Sequence, residues 1–488
     1  MRLSIRLISV VVLLVILALV AAIAAAYQHG IPDSAAGMAA KNVCSAMFIA
    51  DRKADEVIEH DILPASAVLR LARISTDIHR RQVSASLPGT QERYAIYRNE
   101  LGCVTLAPGA LPPPDGVDRA PWPADEIQSA ETLQRRGGGR ADWPTGEASA
   151  ALRAQIDTAF EAPGANSTSP MTASASGPNT RAVLVIHQGK LLTERYSDGF
   201  DEQTPQLGWS MAKTLLSILA WKRFSETDVS MDAAVVDVMT RVPRPNWVGN
   251  WQSDDRAKIS IKDLWLMRDG LAHEDSKKPW STVPQMLWST PDIAAFAGRT
   301  NLTKQPGQDF RYSSAVSNLL SRVLREQFSS DRDYWRYPAT AIFEPLGMRK
   351  AVLETDASGT FIASSYLWAR PRDWAKLGWL LLNDGQWQGQ QLFPPGWLKA
   401  AQAVTKQSDG TRSPYGAHVW QTHDTDQLSC KSNARLPDDG LLLTGHWGQA
   451  VGVFPSRQAV IVRMGWTTDQ SHWDACSFMN QTLSVLPG

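Results

Sequence analysis

Neither sign of charge is in excess in this 488-residue chain, where 49 basic and 49 acidic residues cancel. With no basic tract interleaved with aromatics either, nucleic acid is excluded as the main partner. Cysteine is scarce, at four residues, and no Cys-x-x-Cys occurs. The nine histidines include no His-Glu-x-x-His, which argues against a zinc site, and nothing implies a metal or another cofactor. A Gly-x-Ser-x-Gly elbow is missing too, so a serine nucleophile must be sought in another setting.

What is present begins at the N-terminus. Arg2 and Arg6 precede an uncharged apolar run from Leu7 to Ala26, about long enough to span a bilayer as a helix. The basic flank keeps the N-terminus in the cytoplasm and sends the rest across. "AAIAAA" offers small residues for cleavage, so residues 1–30 are either a retained inner-membrane anchor or a signal peptide. Both readings export the remainder to the periplasm. Four cysteines allow three pairings, and sequence proximity favours Cys44 with Cys103 and Cys430 with Cys476, in keeping with export. Tryptophan is abundant at 19 residues; most should be packing anchors, and a few can line a cleft.

The predicted fold class is α/β (α+β): one antiparallel sheet flanked by helices, with an all-helical domain inserted. Residues 31–106 form a small α/β extension, with "DRKADEVIEHDI" helical and "RQVSASL" and "RYAIYRNELGCVTL" as two strands. Residues 107–180 are an irregular connector with one short helix at "SAALRAQIDTAF", whose Leu152, Ile156, Ala159 and Phe160 share a face. Its Ser/Thr-rich part, 163–180, reads as a surface insertion. The catalytic α/β domain comprises 181–225 and 373–488. It opens with two strands around Gln188-Gly189 and closes with four strand signals and a helix at "WDACSFMNQTLSVL". Between them, 226–372 is the helical insertion, in which Ser260 predicts an N-cap and Gly270 a C-terminal stop.

The candidate chemistry centres on "GWSMAKTLLS". Ser210 and Lys213 stand three residues apart at a predicted helix start, so both share one face and the lysine can reach the serine hydroxyl. A serine acting at neutral pH needs a proton acceptor and donors for the oxyanion. One acceptor is offered by "PGQDFRYSSAVSNLL", where Tyr312 opens a Tyr-x-Ser step before a helix. A nearby ammonium should lower the phenol's pKa and make Tyr312 a base. In "LTGHWGQAVGVF", His446-Trp447-Gly448 ends one strand and Gln449 starts the next, so the Gln449 N–H can join that of Ser210 as an oxyanion hole. Trp209 and Trp447 flank the site in sequence and can form an aromatic wall or simply pack.

Ser210-x-x-Lys213, Tyr312-x-Ser314 and His446-x-Gly448, in this order, resemble the serine β-lactamase and penicillin-binding superfamily. The nearer likeness is to its class C branch, with esterases and 6-aminohexanoate-oligomer hydrolases. "IFEPLGM", "SGTFIASS" and "RPRDWAKLGWLLLNDGQWQG" extend the likeness beyond the motifs. The resemblance implies Ser210 as nucleophile, Lys213 as its proton partner and Tyr312 as base. It places Ser314, His446 and Gly448 at the substrate. Ser314 stands where many relatives carry Asn, and His446 where β-lactamases carry the Lys that recognises a carboxylate. Both departures point away from β-lactams and toward a less anionic ester or amide. The alternatives left open are a β-lactamase or peptidoglycan D-peptidase, and a non-catalytic sensor module.

Overall fold

The computed structural model describes residues 2–113, 143–161, 177–275, 281–403, 407–423, 430 and 434–487. Most of the Pro/Gly-rich connector and of the Ser/Thr-rich insertion therefore lies outside the described residues. The N-terminal helix spans Arg2–Gln28, and its stretch Val10–Gln28 is long and apolar enough to cross a membrane, with none of it buried in the protein.

A second helix, Ile31–Phe48, follows at once and is buried on nearly all sides. It packs on an antiparallel sheet of four strands in sequential order, Arg73–Asp77, Gln82–Ser86, Arg93–Arg98 and Gly102–Thr105. Within 31–106 the sequence predicted two strands and a helix at 51–62, and no helix over 31–48. Its small Ala, Gly and Ser residues give that helix no polar stripe to read, because every face is covered. "RYAIYRNELGCVTL" is itself a hairpin, reversed at Asn99–Glu100 with Glu100 at φ 62°. Cys44 and Cys103 are joined across helix and sheet, and Cys430 is joined to Cys476.

The main sheet has seven antiparallel strands. In spatial order they are Tyr415–Gly416, Val419–Gln421, Leu441–Gly445, Gln449–Phe454, Ala459–Gly465, Thr180–His187 and Lys190–Tyr196. Alternating side chains commit each strand to two cores. Leu184, Ile186, Val451, Val453, Val460 and Val462 face one side, with the helices Ala212–Glu226 and Pro371–Leu382. Val183, Val185, Leu442 and Ile461 face the other, against Ala150–Asp157 and Ala475–Ser484. The mixed helix and antiparallel-sheet class predicted from sequence is the one observed.

Residues 226–372 carry a series of mostly short helices, and Val352–Leu353 and Leu367–Ala369 join Gln206–Leu207 in a small three-stranded sheet. Ser260 caps Ile261–Trp265 in a capping box with Asp263. That helix ends at Trp265, short of Gly270, because Met267 turns left-handed at φ 54°.

Candidate active site

The turn that carries Ser210 is built by packing. Gly208 sits where a Cβ would fall 2.1 Å from the indole of Trp374, so only glycine lets the chain pass. Trp209, at φ 48°, then throws the chain into a short 3-10 turn, Trp209–Met211, and regular helix starts at Ala212 rather than at Ser210. Ser210 remains half-exposed while Lys213, one turn on, is fully buried.

Lys213 Nζ donates to Ser210 Oγ at 3.0 Å, to Ser314 Oγ at 3.0 Å and to the Ser364 carbonyl at 2.8 Å. None of these partners is charged. Burial favours the neutral amine, and it pulls the Lys213 pKa down to about 8 against the opposing charge of Asp275. The structure thus brings the first two motifs together, and the Ser314 hydroxyl is long enough to reach the lysine despite replacing a carboxamide. Asn318, one turn beyond, braces the arrangement: its Nδ2 donates to Ser364 Oγ at 3.1 Å and its Oδ1 accepts from Ser364 N–H at 3.3 Å.

Tyr312 is half-buried beside this cluster. The lysine does not act on it as the sequence suggested. Lys213 Nζ stands over the ring face, 5.0 Å from its centre, instead of donating to the phenol oxygen. Burial and the Asp275 carboxylate push the Tyr312 pKa well up, and a hydrogen bond with Ser210 only partly offsets them. The expectation of a phenol acidified by lysine is therefore corrected: low dielectric and a nearby anion outweigh the ammonium. Tyr312 is held by stacking on Trp420 at 5.4 Å and edge-on against Tyr415 at 5.5 Å.

Asp275, Ser364, Asn318 and Trp420 were missed in the sequence. Asp275 accepts from the Ser314 N–H at 2.5 Å, tying the charge to the second motif. No local pattern marks it, since it lies 39 residues from its partner.

The third motif forms a hairpin. Leu441–Gly445 and Gln449–Phe454 pair with Gly445 opposite Gln449, and His446–Gly448 makes the turn. Gly445 lies against the turn that carries Ser210, where a Cβ would come within 2.2 Å of the Gly208 carbonyl oxygen. Gln449 is buried, with its side chain spent on the Gly465 backbone and the His446 carbonyl. His446 is half-buried and packs edge-on against Trp209 at 5.6 Å. Trp209 and Trp447 are both buried and meet edge-to-face at 5.4 Å, with Trp466 and Tyr366 beside them. They build an aromatic floor under the turn; the half-buried wall beside Tyr312 falls to Trp420. Among the described residues no cluster of three His, Cys, Asp or Glu is placed to hold a metal.

Residues 175–474, more than half of the chain, match the model of the Beta-lactamase family. The chain belongs to the beta-lactamase family. This beta-lactamase-family chain is 24% identical over 312 residues to the 6-aminohexanoate-dimer hydrolase of Paenarthrobacter ureafaciens, spanning 60% of itself and 75% of that relative. Among solved structures, a Bacillus anthracis protein named after the 6-aminohexanoate-dimer hydrolases matches with TM-score 0.55 and 19% identity. That match covers 71% of this chain and 89% of the other. EstCE1, a hydrolase with promiscuous acyltransferase activity, matches with TM-score 0.50 and 14% identity over 69% of this chain and 99% of its own. At these identities both structures speak for a shared fold. Family and curated relative make this beta-lactamase-family member a serine hydrolase.

Proposed function

We propose that this protein hydrolyses an ester or amide through an acyl-enzyme on Ser210. The observation that carries the reading is a buried, uncompensated lysine 3.0 Å from a half-exposed serine hydroxyl. With a pKa of about 8, Lys213 is neutral in roughly a tenth of molecules at pH 7. In that form it accepts the Ser210 proton as Oγ attacks the substrate carbonyl. Tyr312, neutral and bonded to Ser210, carries a proton from the lysine to the leaving group, which departs as alcohol or amine. Water then enters, gives a proton back along the same path, and releases the acid.

The developing oxyanion is held by the Ser210 N–H and an amide of the hairpin. Gln449 N–H is the donor expected from the motif; the approach of Gly445 to Gly208 makes His446 N–H the neighbouring candidate. Asp275 beside Ser314 and a histidine at 446 disfavour an anionic substrate, which supports a neutral ester or amide over a β-lactam carboxylate. The curated relative's name, a dimer hydrolase of 6-aminohexanoate, agrees with an amide. We place the catalytic part outside the cytoplasm, supported by the apolar N-terminal helix and the two cysteine pairs.

The test is turnover of a short-chain p-nitrophenyl ester and of a chromogenic cephalosporin by wild type and Ser210→Ala. Ester turnover should vanish with the serine, by at least about 10³-fold, and the cephalosporin should be a poor substrate. Full ester turnover by Ser210→Ala would end the reading. Fast cephalosporin hydrolysis would move the protein to the β-lactamase side.

A further inference from the structure

Arg463, on the strand Ala459–Gly465, is fully buried and plays no part in the chemistry above. Among the described residues no carboxylate pairs with it. Its guanidinium is spent on neutral oxygens instead. Nη1 donates to the Gly448 carbonyl at 2.9 Å and the Trp447 carbonyl at 3.4 Å. Nε and Nη2 donate to Thr180 Oγ1 at 3.1 and 2.8 Å, and Nη2 also reaches Thr467 Oγ1 at 2.8 Å and the Pro178 carbonyl. The indole of Trp473 covers it at 4.3 Å. A buried charge is costly unless such bonds satisfy it, so a cation kept here needs a reason.

The reason lies in the hairpin. Trp447 and Gly448 are consecutive left-handed residues, at φ 59° and 86°, a conformation that an indole-bearing residue does not hold unaided. The guanidinium clasps the carbonyls of both. A Cβ on Gly448 would lie 2.5 Å from Arg463 Nη1, and one on Gly465 2.3 Å from its Cζ, so these glycines make room for the guanidinium. In a trans peptide the carbonyl and the N–H point in opposite directions. The carbonyl of Gly448 belongs to the same peptide group as the N–H of Gln449. Holding the one therefore aims the other, and a cation on the carbonyl strengthens the amide as a donor.

We propose that Arg463 is a positioning residue of the acyl-transfer site, clamping the His446–Gln449 turn from behind so that its amide meets the oxyanion. The inference rests on the serine-hydrolase reading above. The test uses full-length protein with Arg463→Met, Arg463→Lys and Thr467→Val, and records kcat, KM, the pH profile and thermal unfolding with the p-nitrophenyl ester. Arg463→Met should lower kcat by about 10²-fold, the loss typical of an oxyanion donor, with KM within about threefold. The pH limb set by Lys213 should not move. Arg463→Lys should recover part of the loss, because an ammonium reaches one carbonyl but not both. Thr467→Val, which removes one of the guanidinium's anchors and keeps the bond from the Thr467 N–H to the Trp447 carbonyl, should cost about three- to tenfold in kcat. If Arg463→Met does not fold, the other two variants decide. Unchanged kcat in folded Arg463→Lys and Thr467→Val, or a loss expressed in KM, would overturn the proposal. Retained turnover in Ser210→Ala would instead remove the reading beneath it.

Discussion

Two lysines of this chain, Lys41 and Lys213, are buried to the same degree and used differently. Lys41, on the helix Ile31–Phe48, meets Glu354 at 2.9 Å. The same carboxylate accepts from Ser45 Oγ at 2.8 Å, the Cys103 N–H at 2.6 Å and Trp368 Nε1 at 3.0 Å. Burial draws the Lys41 pKa down, and Glu354 opposes the fall. Lys213 has hydroxyls and a carbonyl about it and, among the described residues, no ion pair. The partner, not the burial, decides the role. A lysine facing a buried carboxylate is held in an ion pair that ties the N-terminal extension to the rest of the protein. A lysine facing neutral oxygens is poised to gain and lose a proton. The two sites also adjoin: Tyr366, which accepts from Trp288 Nε1 at 2.6 Å and donates to Asn42 Oδ1 at 3.0 Å, packs on Trp209.

The contrast can be broken most forcefully at Lys213. Lys213→Met should abolish ester turnover by about 10³-fold or more while leaving the unfolding temperature near that of wild type, since among the described residues Lys213 makes no ion pair whose loss would strand a partner. Calorimetry beside stopped assays checks both halves, and a large fall in stability would show that this lysine too is structural. At the other site the effect should be reversed. Lys41→Met leaves Glu354 buried without its cation and should cost about 3–5 kcal/mol of stability, read by denaturant unfolding, with kcat of the folded fraction near wild type. Pairing it with Glu354→Gln should restore part of that loss.

The smallest effect is the pH profile. The folded pKa of Lys213 is lowered to about 8, so the competent neutral amine is lost as pH falls. kcat/KM should climb about tenfold per unit below pH 8 and level off above it. A limb near or above pH 10 would hand the base role to Tyr312, whose pKa the structure pushes upward.

The reading of elements from sequence succeeded where pattern is local. The turn at Gln188-Gly189, with both residues left-handed at φ 50° and 75°, and the cap at Ser260 are written in a few adjacent residues. It failed at Ile31–Phe48, whose burial on all sides erases the periodicity, and at Gly270, where the chain had already left the helix. The order of Ser210, Lys213, Tyr312, Ser314 and His446 likewise carries the family's pattern in short motifs. Asp275 and Ser364 carry no such mark, because each meets the site across a long stretch of chain.

By itself, then, the sequence determined the class of the fold, the balanced charge, the apolar start and the type of nucleophile, all properties of composition, periodicity and short spacing. Tertiary structure alone decided the electrostatic setting of the candidate site. Burial moves the pKa of Lys213 down and that of Tyr312 up, while Asp275 raises both, and neither burial nor an anion 39 residues away from Ser314 is a local property of the chain.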